Sequence, residues 1–141
     1  MTKDRTPAQL YALFVGAVLV GAGILGFFYS TSFDSGDNVP RDAVLGILDV
    51  NAWHNLVHIA TGALGLATFA RAASARAYAF GLGAVYVVVA IWGFVLGDGE
   101  VILNLVPINT EDNVLHLLIA LAGLGAGAAS PTTAAPAPRH G

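Results

Sequence analysis

Eight polar residues in this chain fall in two clusters of the same shape. Asn51, His54, Asn55 and His58 stand in VNAWHNLVH, and Asn109, Asp112, Asn113 and His116 stand in INTEDNVLH. Asn51 and Asn109, Asn55 and Asn113, and His58 and His116 are all separated by 58 positions; only His54 against Asp112 changes type. Each cluster runs directly into an apolar, glycine-bearing segment. Polar groups at the edge of a bilayer are costly and are kept for a reason. Residues four apart share a helix face, so His54 stands over His58 and Asp112 over His116. Two such faces turned toward each other would offer three imidazoles and a carboxylate. That nitrogen and oxygen set suits zinc, or iron with an open position. A variant is a b-type haem held between His58 and His116. The expectation placed ahead of both is a hydrogen-bonded polar network with no cofactor. In it Asn55, Asn113, His58 and His116 bridge two helices, while Asn51 and Asn109 act as N-caps.

The elements that must carry these clusters are hydrophobic spans. The 141 residues are 56% hydrophobic and only 11% charged, against about 25% charged in ordinary soluble domains. Leu10–Tyr29 and Ala77–Gly97 contain no charged residue, and Ala52–Ala70 and Asn113–Ala129 contain histidine but no Asp, Glu, Lys or Arg. Twenty helical residues extend roughly 30 Å, the thickness of the hydrocarbon core. The expected fold is all-α: one domain over residues 1–129 with four transmembrane helices, about 8–30, 52–70, 77–97 and 113–129. The first span follows Lys3 and Arg5 as a signal peptide would. It is longer than a usual signal core and no A-x-A site follows it, so it is expected to be retained. The Pro- and Ala-rich stretch from 130 to 141 is expected to be a disordered tail.

Charge sets an orientation. Lys3, Arg5, Arg71, Arg76 and Arg139 fall on one side of these spans. Asp34, Asp37, Asp42, Asp49, Asp98, Glu100, Glu111 and Asp112 fall on the other. The positive-inside rule then predicts cytoplasmic termini and outward-facing histidine clusters in a multi-pass protein of the cell membrane. Tyr11 and Tyr78 are expected as interfacial anchors at the inner ends.

The first and third spans also match. YALFVGAVLVGAGILGF from Tyr11 and YAFGLGAVYVVVAIWGF from Tyr78 share Tyr, Ala, Gly, Val, Ile and Phe in step. The chain therefore reads as two tandem helical hairpins, roughly 8–70 and 77–129, related by a parallel pseudo-two-fold axis along the membrane normal. Small-residue stripes, such as Ala12, Gly16, Gly23 and Gly26 on the first span, predict close helix packing. Ala43–Val50 and Val101–Ile108 are apolar but too short to span, and read as short interfacial or partly inserted segments folded over the outer end of the bundle.

The pattern N-x-x-H-N-x-x-H before a Gly-rich helix, then P-x-N-x-x-D-N-x-L-H, resembles a bacterial and archaeal four-helix membrane family, the domain-of-unknown-function 4383 family. The resemblance runs from about Leu10 to Gly127; Asp49 departs from it, standing where Pro107 would have its counterpart. It implies a multi-pass membrane protein and brings no activity with it.

Other chemistries lack their residues. The chain has no cysteine, which removes disulfides and thiol ligands. No Ser is paired with a base and no phosphate loop is present, so no enzyme is expected. A nucleic-acid partner is not expected either, for want of a basic patch. The expected partners are the lipid bilayer and a membrane protein or second copy. The expected function is a structural or partner-binding bundle. Its alternative is a metal- or haem-binding redox or sensor protein using His54, His58, Asp112 and His116.

Overall fold

The computed structural model describes residues 4–132. In chain order the elements are α1 (Pro7–Gly26), a short 3-10 turn (Gly36–Asn38), β1 (Asp42–Val44), β2 (Leu48–Val50) and α2 (Ala52–Thr68). Then come α3 (Ala72–Leu96), β3 (Val101–Ile102), β4 (Val106–Pro107) and α4 (Thr110–Ala129). The fold is mostly helical, with four helices. Three of them, α1, α3 and α4, are long and apolar enough to cross a membrane. α2 has 17 residues, about 25 Å at 1.5 Å per residue.

The expectation of an all-α fold needs one correction. The two short apolar segments are antiparallel β-hairpins, β1 with β2 and β3 with β4. The backbone explains why. Leu45 and Gly46 in the first turn, and Leu103 and Asn104 in the second, have φ between 53° and 71°. Two successive left-handed residues are what a type I′ turn requires, and such turns match the twist of paired strands. Leu45 and Leu103, 58 positions apart, both hold a conformation that β-carbon sterics penalise by about 1–2 kcal/mol. Tight turns let segments this short satisfy their own amides as pairs of strands.

Caps fix the helix starts. Thr6 and Gln9 form a capping box around Pro7 at the head of α1. Asn51 caps α2 by accepting the His54 amide, and Asn109 with Asp112 forms a capping box on α4. α3 begins at Ala72, five residues before the uncharged block. Arg76 is accommodated because its Nε reaches the Gly127 carbonyl at 3.0 Å and its guanidinium lies over Phe80.

α1 packs along α2, and α3 along α4. A β-carbon on Gly62 would lie 2.6 Å from the Gly16 carbonyl oxygen, and one on Gly16 would lie 2.9 Å from that of Gly62. The backbones are in contact, as small-residue interfaces allow. Between the pairs lies a core of Tyr11, Val15, Leu19, Tyr78, Leu82 and Tyr86, filled in by alanines. Tyr11 and Tyr78 are therefore buried and are not interfacial anchors. Their hydroxyls donate to the carbonyls of Ile119 at 2.8 Å and Thr61 at 3.0 Å. A buried phenol needs such a partner, and Gly123 and Gly65 leave the room for it.

Ser130, where the tail was expected to begin, is buried. It accepts the Ala8 amide at 2.8 Å and donates to Ala126 at 2.7 Å, tying the end of α4 to the start of α1. The rest of the tail beyond 132 lies outside the described residues.

Candidate metal centre

The first two turns of α2 and the second turn of α4 place His54, His58 and His116 side by side. Ring centroids are 4.4 Å apart for His54 and His58, 5.8 Å for His54 and His116, and 6.1 Å for His58 and His116. One nitrogen from each ring lies within 4.8 Å of the other two. A tetrahedral ion with bonds of about 2.05 Å holds its nitrogens about 3.3 Å apart, a difference that χ rotations cover. His54 is 2% exposed, and neither of its ring nitrogens has a hydrogen-bond partner. The backbones of Asp49 and Pro107 lie beside it without forming a well-aligned bond. Nδ1 of His116 is likewise buried and unpartnered. An unsatisfied buried polar group costs about 1–3 kcal/mol, so the buried, unpartnered nitrogens of His54 and His116 are an expensive arrangement for packing alone.

Asp112 does not join them. Its Oδ2 accepts the Asp49 amide at 3.0 Å and the Asn109 amide at 3.2 Å. The carboxylate binds the roof above the site to α4, leaving a three-imidazole set.

Asn51 and Asn109 act as caps and as clasps. Each side-chain oxygen accepts a helix amide, His54 at 2.9 Å or Asp112 at 2.8 Å. Each Nδ2 then reaches the opposite hairpin: Asn51 to the Leu105 carbonyl at 2.5 Å, Asn109 to the Ile47 carbonyl at 2.6 Å. The acceptors are themselves 58 positions apart. The two tight turns point these carbonyls at the two asparagines, so the hairpins are locked over the histidines by a reciprocal pair of bonds.

Asn55 and Asn113 were expected to bridge the two helices. They face their own hairpin mates instead. Asn55 donates to the Ser30 carbonyl at 3.1 Å, just past the end of α1. Its carboxamide occupies the space a β-carbon on Gly26 would need, and Asn113 does the same at Gly93. The carboxamide oxygens of both are buried without a partner.

Sequence reasoning passed over Tyr86. Its ring meets His116 edge-on at 5.2 Å, and its hydroxyl lies 3.5 Å from that of Thr61. The available signal was its place: Tyr86 stands where the matched first span has Leu19, a polar exception in an apolar register.

A cleft of about 400 Å³ reaches the imidazoles from the side. It lies between α1 and α4 under the first hairpin, with Val18, Leu25, Leu45 and Leu115 among its walls and His58, His116 and Asp112 at its polar end.

No curated protein and no solved structure matches the chain. The family model described as a domain of unknown function (DUF4383) matches residues 9–129, nearly all of the helical bundle. The chain belongs to that domain-of-unknown-function family.

Proposed function

We propose that this is a multi-pass protein of the cell membrane, with four spans, cytoplasmic termini and no catalytic activity of its own, that binds one divalent transition-metal ion through His54, His58 and His116. The observation that carries the reading is the convergence of three imidazoles around buried, unpartnered nitrogens. Three histidines and an open fourth position suit zinc, or iron. Haem fits less well, because the His54 ring stands against both His58 and His116 and takes the space a macrocycle between them would need.

The scaffold is a duplicated hairpin. Several contacts are exchanged under one pair of offsets, 67 between α1 and α3 and 58 between α2 and α4. Tyr11 bonds Ile119 while Tyr78 bonds Thr61. Gly26 admits Asn55 while Gly93 admits Asn113. This reciprocity supports a pseudo-two-fold axis along the membrane normal, with α2 as the fourth span. On that axis His58 and His116 are equivalents, and a site between them is where a duplicated bundle places one.

The test is elemental analysis of detergent-purified protein after Zn²⁺ loading and desalting. About one ion per chain is expected, falling below roughly a fifth of that in H58A and H116A, with helicity by circular dichroism unchanged. Wild-type protein that retains no zinc and shows no heat of Zn²⁺ binding overturns the assignment.

A further inference from the structure

The histidines of the metal site proposed above are covered by the two hairpins and reached from the side by an apolar cleft. Above the imidazoles lie the two hairpins, locked by Asn51 and Asn109, with Asn51, Pro107 and Ile108 fully buried between them. At the side, the cleft between α1 and α4 ends on His58 and His116. Its mouth carries Phe14, Val18, Leu25 and Leu45, all exposed apolar side chains of α1 and the first hairpin. The two sides of the bundle differ. Leu19 lines the open cleft, whereas its counterpart Tyr86 fills the other side and packs against His116. The second large hollow, between α2 and α3, is lined by Thr61, Leu64 and Tyr78 and does not reach a histidine.

We propose that this cleft binds a lipid-soluble molecule carrying an uncharged hydroxyl or phenol head, admitted sideways from the bilayer, whose oxygen reaches His58 and His116 and, when the ion is bound, takes its fourth position. The inference rests on the metal reading for that last contact only. The cleft has the size of a small-molecule site. No Lys or Arg lines it and Asp112 does, which selects against an anionic head. The apolar walls take the tail, and the imidazole nitrogens supply the one polar anchor.

The experiment uses full-length protein in lipid nanodiscs, loaded with Co²⁺ to make the coordination visible, and 4-heptylphenol as the probe. Heptylphenol should shift the cobalt d–d absorption in a saturable titration, one probe per chain, whereas azide added from water should give less than a tenth of that shift. V18W and L115W, which fill the cleft without touching a ligand, should weaken the heptylphenol response at least tenfold at unchanged cobalt content. On metal-free protein, heptylphenol should raise the melting temperature, and the same variants should abolish the rise. Azide shifting the band fully while heptylphenol leaves it unmoved overturns the inference, as does a response that survives both filling variants. Decanoate binding more tightly than heptylphenol overturns the uncharged head. Absence of any cobalt band, with the melting shift intact, sinks the metal site and leaves the cleft. A cobalt band with neither heptylphenol response sinks the cleft and leaves the metal.

Discussion

The single imidazole that decides most at the residue scale is His54. It stands where the second cluster has Asp112, and the two side chains have parted company: one joins the histidines, the other bonds two roof amides. Their alanine variants should therefore behave differently. H54A should lose stoichiometric zinc in elemental analysis while the apo protein loses little stability, because the cavity left by the ring is offset by the removal of two unpartnered buried nitrogens. D112A should retain zinc but melt at lower temperature, having lost the capping box and the bond to Asp49. Caps of this kind are worth about 1 kcal/mol. Zinc at a thousand times its dissociation constant should stabilise the wild type by about 4 kcal/mol, a shift readable by thermal melting and absent in H54A. The residues of this site were visible in the sequence, because equal spacing in two copies does not depend on the fold. Their pairing was not. Nothing in INTEDNVLH says whether the Asp112 carboxylate turns into the site or up to a passing amide; that depended on where Asp49 would run, in a hairpin too short to show a period.

The helices could be read closely because a span is set by length and lack of charge, and both are local. Where they were misjudged, the cause was a contact made elsewhere. α3 extends back past Arg76 because Gly127 and Phe80 receive that side chain. The two short segments were not read as strand pairs because their defining feature, leucine at positive φ, is against the residue's preference and is imposed by tertiary structure. The glycines separate by what their absent β-carbon would meet, and this can be checked. G26A and G93A should destabilise markedly, because a methyl at either point falls on the carboxamide of Asn55 or Asn113. G21A and G125A have nothing within 4 Å. They should be neutral, or stabilising by up to about 1 kcal/mol, through helix propensity alone. Urea or thermal unfolding in detergent would rank the four. Equal losses at all of them would remove the argument that Gly26 and Gly93 are required to admit the carboxamides of Asn55 and Asn113.

At the scale of the molecule, the clasp joins the metal site to its accessibility. The two hairpins hang from different halves of the chain, and each is held by an asparagine of the other half. With both bonds made, the hairpins cover the histidines among the described residues, so release of an ion held there to water is expected to require the roof to lift. In wild-type protein, zinc should leave slowly to a water-soluble chelator. In N51A/N109A it should leave at least tenfold faster, at near-normal starting occupancy, since neither asparagine is a ligand. The proposed orientation predicts which side of the membrane that chelator must be on. In the orientation proposed from Arg71 and Arg76, the acidic loops and the roof share the outer face. The absence of native cysteine makes this measurable. In sealed cells, S35C should react with a membrane-impermeant maleimide and S74C should not, until the cells are opened. Chelator applied outside should then strip zinc from N51A/N109A without permeabilisation. Labelling of S74C from outside would invert the bundle and put the roof, and the only aqueous route to the histidines, on the cytoplasmic face.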